Sequence, residues 1–348
     1  MPQRKLLSLW AMKHSNISIF VPHIGCPHLC SFCDQHTISG AQHAPDGDEV
    51  RRICRQALDE VKDPENTEIA FFGGSFTAVP RDYMLELLGA ASEFVGNGKF
   101  SGIRCSTRPD CISREVLQIL KEYGVTSIEL GAQSMCNRVL EANDRGHTAE
   151  DVAEAVRLIR EYGFELGLQM MTGLYMSSTA DDIETAKKII ALAPDTVRIY
   201  PVVVLRGTRL GEFFMSGEYS PVPFDEMVGV CAEIMKLFMQ SGIRIIKCGL
   251  HASEFVEQDM VAGYYHPAFR ELCESRYFLE KMLSAAENTH GAELSSCKGQ
   301  LTFAVAPSCI SKAAGHRKSN IEQFKQRGIA VRIVGDDSIP VYECELRR

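Results

Sequence analysis

The sequence contains no uninterrupted apolar run approaching the about 18 to 20 residues that a membrane-spanning helix needs. Its first residues lack the long hydrophobic segment and small-residue cleavage site of a signal peptide, so we expect a cytoplasmic protein with no membrane partner. Positive charge is scarce too, with 37 Lys and Arg against 45 Asp and Glu. The net charge of −8 excludes a globally basic nucleic-acid-binding protein, although it permits a local basic patch.

Cysteine, by contrast, is plentiful, at 13 of 348 residues. Disulfides are uncommon in a reducing cytosol. This number of thiols therefore indicates a metal site, a reactive thiol, or thiols buried as small apolar side chains. We expect most of the cysteines to be of the last kind.

Short apolar runs alternate with segments of helical periodicity along the first 250 residues. Seven runs predict buried strands: Ile17–Val21, Glu68–Phe72, Gly102–Cys105, Ser127–Leu130, Phe164–Met170, Thr196–Val204 and Ile243–Ile246. Six segments between them predict helices: Asp48–Val61, Arg81–Val95, Ser113–Tyr123, Ala149–Tyr162, Asp181–Leu192 and Phe224–Met239. Ser113 and Thr148 are typical helix-starting residues. This alternation predicts an α/β fold with a parallel sheet, closed into a complete or partial barrel whose chemistry lies at the carboxyl ends of the strands.

The alternation of apolar runs and helical segments changes after about residue 250. We therefore expect a barrel over 1–250 and a small α/β C-terminal extension over 251–348. The extension is predicted to contain a helix, a strand, a second helix and two further strands: His266–Leu283, Leu301–Ala306, Asn320–Arg327, Ala330–Val334 and Ile339–Tyr342. From Ser311 to Arg348 there are eight Lys and Arg against five Asp and Glu. A helix, a basic glycine-containing loop, a helix and a strand are the layout of an RNA-binding KH module, although the loop reads GHRK rather than G-x-x-G. The alternative is a capping extension whose basic residues are merely solvated.

Three cysteines follow the first predicted strand directly: Cys26, Cys30 and Cys33 in the sequence GCPHLCSFC. Their C-x3-C-x2-C spacing allows three thiolates to bind one metal centre. A structural zinc site normally has four ligands, so zinc would require a histidine in addition: His23, His28 or His36. Three cysteines on a 4Fe–4S cluster would instead leave one iron open for a substrate or cofactor.

The motif resembles that of the radical S-adenosylmethionine (SAM) superfamily, which places an aromatic residue, here Phe32, before the third cysteine. The resemblance implies a partial (β/α)6 TIM-like barrel and a 4Fe–4S cluster on Cys26, Cys30 and Cys33, with Phe32 among the cofactor-binding residues. It further implies that the open iron binds SAM, and that reduction cleaves SAM to methionine and a 5′-deoxyadenosyl radical. Because no flavin or nicotinamide site is evident in the sequence, we expect an electron donor such as flavodoxin or ferredoxin.

Other residues at predicted strand ends match SAM-binding positions of this family. In FFGGSFT, after strand 2, the resemblance assigns Gly73, Gly74 and Ser75 to the SAM amino group, the alternative being a plain strand–helix turn. Gln133 and Arg145 are expected to orient SAM, unless Arg145 forms an ordinary surface ion pair. The same alignment implies four contacts to the SAM adenosine: Phe20, Ser106, Gln169 and Pro201.

Within the superfamily, the barrel is most similar to the group of the Elongator catalytic subunit and oxygen-independent coproporphyrinogen oxidase. The Elongator subunit spaces its first two cysteines more widely and carries an acetyltransferase domain, which we do not expect in these 348 residues. The oxidase has a further cysteine where Gln35 stands here. Neither activity is therefore assigned.

We expect a radical SAM enzyme that modifies tRNA or another RNA, with its catalytic residues unassigned. Five arginines near predicted strand ends are candidates for contact with RNA phosphate: Arg104, Arg108, Arg198, Arg206 and Arg209. The alternatives are a radical SAM enzyme acting on a small molecule or tetrapyrrole, a non-catalytic iron–sulfur factor associated with RNA, and a zinc-binding module.

Overall fold

The computed structural model describes residues 15–22, 24, 26, 29–41, 43–290 and 300–347. The chain forms two compact units. One comprises Met1–Val222 and Leu237–Tyr265, and the other comprises Pro223–Lys236 and His266–Arg348. In the described part of the chain, no helix is both long enough and apolar enough to span a bilayer.

A seven-stranded parallel sheet forms the centre of the first unit, in the order β1-β2-β3-β4-β5-β6-β8. Its strands are β1 (Ser15–Val21), β2 (Thr67–Gly73), β3 (Gly102–Thr107), β4 (Val125–Gln133), β5 (Glu165–Thr172), β6 (Thr196–Pro201) and β8 (Arg244–Cys248). Strands that follow one another along the chain also lie side by side, and the sheet curls into half a barrel. The predicted α/β fold with a partial barrel is confirmed.

Helices connect these strands. They are α1 (Gln35–Ser39), α2 (Gly47–Glu60), α3 (Arg81–Ser92), α4 (Arg114–Glu122), α5 (Asn137–Ala142), α6 (Ala149–Tyr162), α7 (Thr179–Ala191), α8 (Arg209–Ser216), α9 (Phe224–Gln240) and α10 (Glu254–Asp259). Of these, α2, α3, α4, α6, α7 and α9 lie where the periodicity predicts them, whereas α1, α5, α8 and α10 were not predicted. Both predicted helix starts are confirmed, because the Ser113 side chain accepts the Val116 N–H and the Thr148 side chain accepts the Asp151 N–H. The Asp151 carboxylate in turn accepts the Thr148 N–H, which completes a capping box.

The two faces of the sheet differ in chemistry. On one face, residues such as Ile103 in β3, Ile128 in β4 and Leu166 in β5 are fully buried and apolar, as expected where helices cover the sheet. The opposite face carries a network of six charged side chains from β2 to β6 and β8: Glu68, Arg104, Glu129, Glu165, Arg198 and Arg244. Arg104 has no exposed surface and contacts three carboxylates. The inside of the half-barrel is therefore polar, and its three arginines and three glutamates neutralise one another.

The single strand predicted over Thr196–Val204 is wrong, since the structure divides it into two. β6 ends at Pro201, whose ring nitrogen has no N–H to donate to a neighbouring strand. The chain then leaves the large sheet, and β7 (Val203–Leu205) pairs antiparallel with β9 (Met260–Gly263).

The described part of the second unit contains a three-stranded sheet and, besides residues 224–236 of α9, three helices. Its elements are α11 (Phe269–His290), β10 (Gln300–Val305), α12 (Ile310–Ala314), α13 (Ser319–Gln326), β11 (Ala330–Gly335) and β12 (Cys344–Arg347). The strand order is β11-β10-β12, with β11 parallel and β12 antiparallel to β10. The predicted helix, strand, helix and strand between residues 266 and 334 are confirmed in that order, and α12 lies before the basic loop.

The strand predicted over Ile339–Tyr342 is wrong, because these residues form a turn. Pro340 cannot donate a backbone hydrogen bond, and Tyr342 has a left-handed φ of 65° that a strand does not allow. The buried Tyr342 hydroxyl donates to Glu274 Oε1 at 2.7 Å, which anchors the turn to α11. The third strand begins only at Cys344.

Candidate functional site

The loops after β1 and β2 approach each other closely at the carboxyl end of the sheet. The Gly74 N–H donates to Val21 O at 2.9 Å. A Cβ atom at Gly73, which has a φ of +112°, would lie 2.9 Å from Val21 O, and one at Gly74 would lie 3.3 Å from Cys26 Sγ. Only glycine fits so close an approach without displacing the neighbouring chain. The Gly-Gly loop therefore brings main chain directly against the cysteine-bearing loop.

Cys26, Cys30 and Cys33 are all half-buried, and each thiol has an N–H donor beside it. The Ser75 backbone N–H donates to Cys26, Arg145 Nη1 lies 3.0 Å from Cys30 Sγ, and Gln35 Nε2 lies 3.1 Å from Cys33 Sγ. Such N–H donors stabilise sulfur as a thiolate, which is the form that binds metal.

Burial acts in the opposite direction on two of these thiols. It raises the pKa of Cys26 above its ordinary value, and burial together with the neighbouring Cys30 raises the pKa of Cys33 to about 12. A bound metal centre would be needed to keep these sulfurs deprotonated at neutral pH. No three His, Cys, Asp or Glu side chains within the described residues lie close enough to share one metal ion. In a 4Fe–4S cluster, each cysteine binds a different iron.

His23 and His28, the proposed additional zinc ligands, lie outside the described residues, whereas His36 is exposed with Nδ1 3.0 Å from Ala41 O. Phe32, beside the third cysteine, is 7% exposed.

Arg145 is not an ordinary surface ion pair, since it is 5% exposed. Its Nη2 donates to Gly131 O at 2.8 Å, and its backbone carbonyl accepts a bond from Arg108. Its Nε is buried and has no hydrogen-bond partner in the described part of the chain, and the same holds for Gln133 Oε1. Gln133 also has a left-handed φ of 61° at a register shift in β4. Buried polar atoms without partners are costly, so these two residues fit a site completed by a polar ligand.

Sequence reasoning missed a chain of hydroxyl groups in the wall of this site. Ser75 Oγ lies 2.9 Å from Thr107 Oγ1, which lies 2.5 Å from Thr77 Oγ1, and Thr77 donates to Cys111 O at 2.8 Å. These bonds tie the Gly-Gly-Ser loop to the end of β3. The Ser75 side chain is thereby engaged within the protein. The threonines alone carried no motif that could have identified them.

Two of the predicted adenosine contacts lie together inside the half-barrel. Gln169 Nε2 is 3.4 Å from Ser106 Oγ and 3.0 Å from Glu129 Oε2. The Phe20 ring lies 6.4 Å from that of Phe72, on the neighbouring strand. The fourth residue, Pro201, is buried at the carboxyl end of β6.

Most of the arginines named as contacts for RNA phosphate are engaged within the protein. Arg104 and Arg198 belong to the buried network, and Arg108 binds Asp110 through two hydrogen bonds of 3.0 Å. Arg209 pairs with Asp144, while Arg206 is exposed. The expected contact with RNA phosphate is therefore wrong for Arg104, Arg108 and Arg198, because carboxylates within the protein already neutralise them.

Comparison with known families agrees with this geometry. Residues 20–189 match the profile of the radical SAM superfamily, and residues 194–278 match the Radical_SAM C-terminal domain. The chain belongs to the radical SAM superfamily and is an enzyme of that class. Its cofactors are the 4Fe–4S cluster and SAM that the superfamily uses. The cysteine loop, the Gly-Gly loop, and the buried atoms of Gln133 and Arg145 that have no partner in the described part of the chain fit those groups.

Similar proteins include members named for Elongator and for tRNA, as the sequence resemblance predicted. The tRNA uridine(34) acetyltransferase of Dehalococcoides mccartyi is 26% identical over 321 residues, covering 82% of this chain and 70% of that protein. Human Elongator complex protein 3 is 33% identical over 193 residues, covering 50% of this chain but only 35% of that protein. The solved structure of Methanocaldococcus infernus Elp3 has a TM-score of 0.54 at 22% identity, covering 70% of this chain and 61% of that one. The chain thus spans about a third of the human protein.

Proposed function

We propose that this protein cleaves SAM reductively at a 4Fe–4S cluster held by Cys26, Cys30 and Cys33, and acts in the modification of tRNA or another RNA. The observation that carries the proposal is the position of Arg145. Its Nη1 lies 3.0 Å from Cys30 Sγ, and its buried Nε has no hydrogen-bond partner among the described residues. When bound and supplied with one electron, the cluster and SAM would provide the cleavage of a SAM carbon–sulfur bond, which yields methionine and a 5′-deoxyadenosyl radical.

The protein residues bind and orient the cofactor in this proposal. The Gly73, Gly74 and Ser75 main chain lies against the amino group, and Arg145 provides a fixed cation for the carboxylate. Gln133 contributes its buried amide oxygen as an acceptor. The adenosine is contacted by Phe20, Ser106, Gln169 and Pro201, and Phe32 packs beside the cluster.

Two observations support RNA as the substrate. The first is similarity to a protein named for tRNA uridine 34. The second is the basic turn of residues 315–318 in the second unit, between α12 and α13. A Cβ at Gly315 would lie 2.5 Å from Ser319 Oγ, and the buried Asn320 Nδ2 donates to Ser275 O at 2.8 Å, so the turn is tightly built. In KH modules, the corresponding turn contacts the nucleic-acid backbone.

The test is SAM cleavage by the full chain, purified without oxygen and reconstituted with iron and sulfide. We expect dithionite and SAM to yield 5′-deoxyadenosine, and bulk tRNA to increase the yield several-fold. Cleavage that tRNA does not change would favour a small-molecule or tetrapyrrole substrate. An intact cluster without cleavage would favour the non-catalytic factor, and a colourless protein with about one zinc per chain would favour the zinc module. Replacing dithionite with flavodoxin or ferredoxin tests the proposed electron donor.

Charge reversal in the basic turn tests RNA contact separately. Arg317 and Lys318 are exposed and adjacent. We expect Arg317→Glu with Lys318→Glu to lower tRNA affinity by about tenfold at 0.1 M salt. The slope of log affinity against log salt concentration should become shallower by the equivalent of about one to two phosphate contacts. Filter binding over a salt series measures both quantities. The control is Arg55→Glu with Lys62→Glu, which makes the same charge change at exposed positions of the first unit. Affinity unchanged at low salt would contradict the proposal.

A further inference from the structure

The three proposed cluster ligands receive hydrogen bonds from three different kinds of donor. Cys26 receives a backbone N–H from Ser75, Cys30 receives a guanidinium N–H from Arg145, and Cys33 receives a side-chain amide N–H from Gln35. Any residue except proline would supply the backbone donor at position 75. Arg145 also has a proposed role toward SAM. Gln35 is neutral and has no other proposed role at the site, so its effect on the sulfur can be isolated.

The position of Gln35 is determined by the start of α1. Asp34 caps this helix, since its Oδ1 accepts the His36 N–H at 2.9 Å and the Thr37 N–H at 3.3 Å. Thr37 is 9% exposed, and its Oγ1 lies 3.1 Å from Asp259 Oδ2, at the end of α10. The first turn of α1 is therefore held at both its cap and its buried side. Because Gln35 is the first residue of this anchored turn, its amide is directed back toward Cys33, two residues earlier.

We propose that Gln35 is a positioning residue that raises the reduction potential of the cluster through its hydrogen bond to Cys33 Sγ. Reduction places additional negative charge on the iron–sulfur core and its thiolates. An N–H dipole directed at a ligand sulfur stabilises the reduced state more than the oxidised state. Removing that dipole therefore makes the cluster harder to reduce, with no change in its ligands. The inference rests on the proposed ligand role of Cys33 and does not depend on the substrate.

The variants Gln35→Leu and Gln35→Glu separate the donor from the volume of the side chain. Leucine occupies similar space without an N–H, and glutamate keeps the shape while replacing the donor with a negative charge. The matched control is Gln118→Leu, at an exposed position of α4 where the amide donates only to Glu122, at 2.9 Å among the hydrogen bonds described. Each full-length protein is reconstituted without oxygen, and its iron content is measured. The reduced fraction is then followed by electron paramagnetic resonance during a potentiometric titration without SAM.

We expect Gln35→Leu to lower the ratio of reduced to oxidised cluster by about three- to tenfold at a given potential, which corresponds to a hydrogen bond that is about 0.7 to 1.4 kcal/mol stronger in the reduced state than in the oxidised state. A tenfold change in this ratio corresponds to about 59 mV for one electron, so the midpoint potential of the cluster should fall by about 28 to 59 mV. Gln35→Glu should lower it further, and Gln118→Leu should leave it at the wild-type value. A merely structural role for Gln35 would reduce iron content without moving the midpoint of the clusters that form.

A wild-type midpoint in Gln35→Leu overturns the inference while leaving the proposed function intact. Failure of the wild-type chain to assemble a cluster overturns both the ligand assignment and this inference. A normal cluster whose midpoint falls in the expected order supports it, whether or not RNA stimulates SAM cleavage.

Discussion

Replacement of Cys26, Cys30 and Cys33 by alanine is expected to abolish both iron binding and the formation of 5′-deoxyadenosine. Alanine has no atom that can bind iron, and the three thiols are the only cysteines in the described residues that share this loop. Even the outer partners of metal ligands are worth about 10- to 100-fold in metal affinity or activity, so loss of the ligands themselves should exceed that range. Iron and sulfide analysis, the visible absorption spectrum and quantification of 5′-deoxyadenosine measure the loss.

The control for this variant is Cys136→Ala, which removes a half-buried thiol at the start of α5. It should retain iron and SAM cleavage, because alanine there leaves the cysteine loop unchanged. Full iron content in the triple variant would contradict the ligand assignment. Retained iron with lost cleavage would instead place the cluster elsewhere in the chain.

Arg104→Met is expected to lower the free energy of unfolding by about 3 to 5 kcal/mol, the cost of leaving buried charges without their partner. Arg104 Nε lies 2.7 Å from Glu68 Oε2, Nη1 lies 3.2 Å from Glu129 Oε1, and Nη2 lies 3.1 Å from Glu165 Oε1. Burial by itself would raise the pKa of Glu68, but the charge of Arg104 and two hydroxyl donors hold it below its ordinary value. Urea denaturation followed by circular dichroism measures the change.

A second substitution distinguishes lost charge from lost packing. Glu129 and Glu165 keep Arg198 and Arg244 as partners when Arg104 is removed. Adding Glu68→Gln to Arg104→Met should therefore recover part of the stability, because it removes a carboxylate that Arg104 had neutralised. The control Arg81→Met disrupts an exposed pair with Glu115 and should cost no more than about 1 kcal/mol. Equal losses for Arg104→Met and Arg81→Met would show that the network does not stabilise the fold.

Local features of the site were predictable because neighbours along the chain determine them. The three cysteines lie within eight residues of one another. The helix starts at Ser113 and Thr148 depend on side-chain hydrogen bonds to the backbone three residues further along. Strand positions follow from short apolar runs, which is why the parallel half-barrel could be expected. The failures at Thr196–Val204 and Ile339–Tyr342 occur where proline or a left-handed residue interrupts an apolar run.

The arginines illustrate what depends on strand register. From sequence, Arg104 and Arg198 are cations near strand ends, and their carboxylate partners are not evident. Their carboxylate partner Glu129 lies 25 residues from one and 69 from the other. Pairing across β3, β4, β5 and β6 aligns these side chains on one face, and so converts an expected substrate surface into a closed ion network.

The amino-acid sequence by itself determined the superfamily, the half-barrel and the loop that carries the three cysteines, since each depends on residue types at short, regular spacings. Only the tertiary structure decided which groups face the sulfurs. Arg145 lies 115 residues from Cys30 in the chain, yet its guanidinium is 3.0 Å from that sulfur. Gln35 is only two residues from Cys33, but the direction of its amide depends on the anchoring of α1 through Thr37 to Asp259, 222 residues further along. Such contacts depend on how distant segments pack, and no local pattern encodes them.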